Sequence, residues 1–251
     1  MGNGLWKGIY SAFPPISSAE ETDRAGIPGI AIRGRGRHDR MTLVMGFVGE
    51  RGAVMAGDRR EITFLGDREA VEGLERELYG GGIVTDGDLA RRARELGVAL
   101  SIRDDKVKVR EQEGVLVGEV TSFEGGVLRR RRLYASAGAY AILDFDGPSR
   151  TLRGRGGAGN FVVLGNERTK AIAHRCIRER WRDGGLRDAA EIIARAMEVA
   201  GRATPSVSRE FILLQTERKA DLDRVIARET AGEGAGAGDG TGTSPPGAGT
   251  G

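Results

Sequence analysis

Cysteine and histidine are nearly missing from this chain. Cys176 stands alone, and His38 and His174 are the two histidines in 251 residues. A single thiol excludes an intramolecular disulfide, and so few Cys and His exclude a zinc cluster built from them. They also leave almost no candidates for a Ser-His-Asp or Cys-His triad. One lone cysteine suits a reducing cytoplasm, the compartment we expect. No run of about 18 apolar residues occurs, so no membrane-spanning helix is expected. Aromatic residues are 5% of the chain, and lysine is scarce, 5 Lys against 34 Arg. The arginine bias reads as genome composition. The formal charge is +3 and leaves no broad basic field for nucleic acid. Arg129, Arg130, Arg131 and Arg132 form the only basic run. Tracking phosphates needs many dispersed contacts, so this run reads as charge at a strand edge. No nucleic acid, membrane, metal or cofactor is expected as a partner.

The two ends differ from the middle. Residues 1–41 mix glycine, proline and arginine without a persistent period, and we read them as a disordered leader or a mis-assigned start. Residues 230–251 alternate glycine with small residues and cannot offset their ordering entropy, so a disordered tail is expected. The middle holds real elements. Residues 42–49 and 53–60 are two apolar strands around a glycine-bounded turn, which predicts a β-hairpin. Residues 61–64 continue strand-like, and 67–97 turn helical, with Asp86 as an N-cap. Strand signals recur from 99 to 152. A buried strand at 160–165 is followed by helices over 169–182 and 186–201, a strand over 208–216 and a short helix over 219–229.

Several motifs carry less than they first suggest. The glycines at 154–159 fit G-x-G-x-x-G, but a strand follows where a dinucleotide site needs a helix, so a turn is the better reading. His174 and Cys176 lie two apart on a helix and face different ways. Asp104-Asp105 and Glu111/Glu113 read as solvated charge.

The hairpin carries more. Thr42 follows Met41, opens an apolar strand, and precedes Asp58 by sixteen residues and Arg60 by two more. If translation starts at Met41 and that methionine is removed, Thr42 becomes the N-terminus. Such a threonine holds a nucleophile and a base together, because an α-amine titrates at about 7.7–8.0. No histidine is then required. A carboxylate and a guanidinium at the end of the next strand would orient and tune that amine. The plainer alternative is a core hairpin closed by a salt-linked Asp-Arg-Arg.

This opening, Thr-strand-turn-strand-Asp-x-Arg, resembles proteasome β-subunits and related N-terminal-nucleophile hydrolases. The segments RRRRLYAS, AYAIL, VLGNERTKAIA and TPSVSRE extend the resemblance to connectases, archaeal proteasome homologues of methanogens that act as protein ligases. The resemblance implies an α+β fold: an αββα core from 42–65 and 129–229, with an inserted small α/β-rich unit at 66–128. It implies that Thr42 is the nucleophile, with Asp58 and Arg60 beside it. Arg132, before Leu133-Tyr134, takes the place of the proteasomal lysine. Gly165, where a strand enters a helix, takes that of the oxyanion glycine. The implied reaction cleaves Lys-Asp-Pro-Gly-Ala after Asp and rejoins the acyl part to a Pro-Gly-Ala N-terminus. The implied substrate is a polypeptide of the methanogen methyltransferase complex. Arginine does not deprotonate, so the α-amine of Thr42 would carry the base function. Met41 is not the glycine that proteasomes process after, which favours internal initiation. The alternatives are a simple threonine hydrolase and an inactive homologue that keeps residues 1–40.

Overall fold

The computed structural model describes residues 7–11, 36–40, 43–124, 127–146 and 149–235. In chain order the strands and helices are β1 (Lys7–Ser11), β2 (Gly36–Arg40), β3 (Leu43–Gly49), β4 (Gly52–Asp58), β5 (Glu61–Gly66), α1 (Arg68–Gly80) and α2 (Asp86–Glu95). There follow β6 (Ala99–Arg103), β7 (Val109–Gln112), β8 (Val115–Glu124), β9 (Val127–Ser136), β10 (Ala139–Asp146), β11 (Ser149–Gly157) and β12 (Asn160–Gly165). The chain then forms α3 (Glu167–Arg180), α4 (Leu186–Ala203), β13 (Glu210–Thr216) and α5 (Leu222–Ala235).

The mixed α and β architecture is built from antiparallel sheets. The first has the order β1-β13-β4-β3-β12 and the second β11-β10-β9-β8-β7. The run LVMGFVG in β3 is apolar at consecutive positions because both faces of its sheet are covered. Leu43, Met45 and Phe47 pack with Ala173, Ile193 and Met197 of α3 and α4. Val44 and Val48 point the other way, onto Leu116 and Leu133 of the second sheet. The far face of that second sheet carries Val117, Tyr134 and Phe145, which pack on Leu222 and Val225 of α5. The layers therefore run helix, sheet, sheet, helix. The sheets approach closely at Gly118, where a Cβ would sit 2.6 Å from both Met55 and Val44 side-chain atoms.

A separate cluster lies to one side. Strands β2-β5-β6 form a small third sheet, and Ile62 and Phe64 pack on Val71, Leu74, Leu78 and Leu89 of α1 and α2. The expected continuation of the first sheet by 61–64 does not occur; β5 turns away into this unit. The segment read as an insertion at 66–128 also divides differently. Strands β7 and β8 pair with β9 in the second sheet, so the separate hydrophobic cluster spans about Glu61 to Arg103. Alternating apolar residues identify a strand, but they do not say which sheet receives it.

Other differences are local. Within 1–41, expected to lack structure, β1 pairs with β13 and β2 with β5. Backbone pairing along an open sheet edge needs no apolar pattern, which is why composition missed it. The glycines at 154–157 lie inside β11, and α5 runs five residues beyond Thr230. Thr85, not Asp86, caps α2, accepting from Asp88 N–H at 3.1 Å. The remainder of the expected tail, 236–251, lies outside the described residues.

Candidate active site

Asp58 is the last residue of β4 and is fully buried. Its strand lies between β3 and β13, so the carboxylate emerges where both neighbours also end. Oδ2 accepts from the backbone N–H of Leu43 at 3.0 Å and from Lys108 Nζ at 2.8 Å. Oδ1 accepts from Arg60 N–H at 2.8 Å and from Ser208 N–H at 3.4 Å. An ionised carboxylate offers roughly four lone-pair sites, and these four donors match them. The amide donated by Leu43 is the one that joins residues 42 and 43. Thr42 itself lies outside the described residues.

Lys108 directly precedes β7, and its side chain is as buried as its partner, 5% exposed against 0%. Its carbonyl accepts from Glu119 N–H at 2.8 Å, fixing the backbone against the second sheet. Burial pushes the ammonium below the ordinary lysine range, while the Asp58 charge works against that shift. A buried amine with a lowered pKa is suited to giving up and taking a proton. The sequence reading missed Lys108 and looked for the basic group at Arg132. A signal existed: in a chain with 34 Arg and 5 Lys, a lysine in an alternating strand is an exception.

Arg60 leaves the same corner in another direction. Its guanidinium grips Asp104 twice, at 2.8 Å through both Nε and Nη2. It also donates to Asp86 at 2.6 Å and to the carbonyl of Pro205 at 2.8 Å. Burial opposes its charge, but the two carboxylates prevail and raise its pKa. Only its backbone N–H is bonded to Asp58. The side chain ties the third sheet's unit to the loop after α4. In that loop Thr204 and Ser206 share a buried hydroxyl contact at 3.1 Å, and Ser208 Oγ accepts from Arg59 N–H at 2.8 Å.

Gly165 ends β12 directly opposite Leu43, and Asn166 caps α3 by accepting from Thr169 N–H at 2.9 Å. The glycine therefore stands beside the first residue of β3, at a helix N-terminus. Arg132 does not join this group. Its neighbour Leu133 faces the first sheet, so Arg132 alternates to the opposite face, toward α5. There it pairs with Glu119 at 2.5 Å, lies 3.7 Å from Glu229, and sits 4.7 Å over the Phe145 ring. The structure brings together Asp58, the Arg60 backbone and Gly165, adds Lys108, and sets Arg132 apart.

The family model "Connectase MJ0548-like, N-terminal domain" matches residues 41–231, well over half of the chain. The chain belongs to the connectase family. No curated protein matches it. Membership places this connectase among protein ligases acting on polypeptides. No helix among the described residues is long and apolar enough to cross a membrane. Also among the described residues, no group of three or more His, Cys, Asp and Glu is arranged to hold a metal ion. In this connectase Cys176 is a core residue of α3, its thiol pushed up by burial, and His174 is exposed.

Proposed function

We propose that this connectase is a transpeptidase of the N-terminal-nucleophile type, with Thr42 as its nucleophile once the chain begins there. The hydroxyl oxygen adds to the carbonyl carbon of Asp in a Lys-Asp-Pro-Gly-Ala segment. The C–N bond to Pro breaks, the prolyl nitrogen takes a proton, and the acyl part is held as an ester. The prolyl nitrogen of an incoming Pro-Gly-Ala N-terminus then attacks that ester. A new amide forms, its proton is released, and the threonine hydroxyl is restored. Two amines would handle these protons, the α-amine of Thr42 and Lys108. Asp58 would keep both near the nucleophile, and the N–H of Gly165 would face the developing oxyanion.

The observation that supports this reading is the buried Asp58–Lys108 pair, one carboxylate bonded both to a buried amine and to the amide joining residues 42 and 43. A pair so thoroughly desolvated is poor at stabilising a fold, which makes a chemical use of it reasonable. We further propose that residues 61–103 form an inserted unit beside the proteasome-like core, and that the polypeptide substrate belongs to a methyltransferase complex.

The test uses protein starting at Thr42, a Lys-Asp-Pro-Gly-Ala peptide and a Pro-Gly-Ala acceptor. Mass spectrometry is expected to find the ester conjugate and the ligated product. Free acid alone would identify a hydrolase instead. Equal activity from protein that starts at Met1, with its N-terminus intact after the assay, would sink the assignment of Thr42.

A further inference from the structure

Gly165 lines one end of an open cleft of about 620 Å³, inside the range of roughly 300–1,000 Å³ seen for ligand-binding clefts. Its wall is the second sheet near Val120, roofed by Tyr79 of α1 and by the start of α3. In register, Val120 pairs with Arg131, and Arg131 with Asp144. Alternation therefore puts Arg129, Arg131, Asp144 and Asp146 on one face of these strands. Arg129, Arg130, Arg131, Arg153 and Lys170 line the cleft, against Asp144, Asp146 and Glu167, so cations outnumber carboxylates five to three. The carboxylates are engaged: Asp144 binds Arg131 at 2.5 Å and Arg153 at 2.7 Å, and Glu167 binds Lys170 at 2.9 Å. The hydrogen bond from Arg131 holds the Asp144 carboxyl below its ordinary range, so the cleft keeps its alternating charge near neutrality. Arg131 and Arg153 remain 43% and 57% exposed, and can still bind a ligand.

We propose that this cleft binds an acidic stretch of the polypeptide substrate, Asp or Glu side chains a few residues away from the bond that reacts. The inference rests on the transpeptidase reading and names a specificity element for it. Continuity with Gly165 places such a stretch next to the start of β3. The interspersed Asp144, Asp146 and Glu167 suit a peptide, whose charges are spaced, and repel a continuous phosphodiester backbone.

The experiment compares peptides that share the reacting segment and carry three Asp, three Ser or three Lys at the flank, using protein that starts at Thr42. The expected kcat/KM is about tenfold higher for the Asp peptide than for the Lys peptide at low salt, from ion pairs individually worth little. The preference should fade by about 0.5 M NaCl. In the Arg129→Gln, Arg131→Gln, Arg153→Gln variant the Asp-to-Lys ratio should fall toward one. The wild-type salt series decides the matter if that variant does not fold. Equal kcat/KM for all three peptides would overturn the cleft assignment and leave the transpeptidase reading intact. Absence of an ester conjugate with every peptide would sink the transpeptidase reading itself. Competition by a single-stranded oligonucleotide stronger than that of the Asp peptide would assign the cleft to nucleic acid and overturn the proposal.

Discussion

Replacing Asp58 with asparagine removes one charge and one acceptor at nearly constant volume. The amide keeps a single oxygen. Turned toward Leu43 N–H and Lys108, it presents an NH2 group to the N–H groups of Arg60 and Ser208, and the opposite rotamer is worse. Either way buried donors lose their acceptor, at about 1–3 kcal/mol each. Removing one member of a buried ion pair costs about 3–5 kcal/mol in total, against a whole-domain stability of about 5–15 kcal/mol. For a chain of this size the melting temperature should fall by roughly 6–20 °C. The loss should depend on pH with a definite sign. The folded pKa of Lys108 lies below its ordinary 10.5, so the unfolded chain binds more protons between those values and stability rises with pH there. Without Asp58 that depression deepens. The gap between wild type and variant should therefore be widest near neutral pH and narrow as pH approaches 10.5. Adding Lys108→Met removes the stranded amine and should recover part of the loss, a coupling of about 0.5–3 kcal/mol. Thermal melts of the three proteins from about pH 7 to about pH 10 test all of this. A shift under about 2 °C for Asp58→Asn, or a double variant as unstable as the sum of the singles, would refute the reasoning.

Lys108→Arg keeps a cation beside Asp58 but removes the amine that can lose a proton, so a transpeptidation rate reduced at least about 100-fold with folding retained is expected; unchanged single-turnover kinetics would clear Lys108 of proton transfer. Glu229, only 9% exposed, accepts from the Tyr134 hydroxyl at 2.5 Å and pairs with Arg110. Burial and then Glu229 raise the Tyr134 pKa, so the phenol stays a donor, and Glu229→Gln should lower stability by about 1–3 kcal/mol and loosen α5. Hydrogen exchange confined to α5 and the outer face of the second sheet would register it. Gly118→Ala places a methyl group 2.6 Å from Met55 and Val44. Overpacking there should cost about 1–3 kcal/mol in urea unfolding; a neutral result would mean the sheets separate more easily than their packing implies.

Much of the fold was legible because it depends on short-range pattern. The hairpin of β3 and β4, the helices α3 and α4, and the strand β12 declare themselves through apolar periodicity and glycine punctuation. Asp58 and Gly165 were reached through a resemblance that places them by spacing from Thr42. In the folded chain both flank the start of β3. Lys108 was not reached, because its tie to Asp58 spans fifty residues and an intervening sheet, and no local pattern reports such a contact. Arg132 was misplaced for the same reason. A strand's alternation names two faces but not which one meets the site, and only the packing of Leu133 on the first sheet settles that.

Composition alone removed whole classes of chemistry, since one cysteine and two histidines cannot build the usual triads or metal sites wherever the chain folds them. Residue inventory survives any conformation. What the tertiary structure decided was company: which carboxylate holds which amine, which arginine is a clasp to Asp86 and Asp104, and which strands share a sheet. Those pairings join residues far apart in sequence, and their energies come from burial that exists only once the layers have closed.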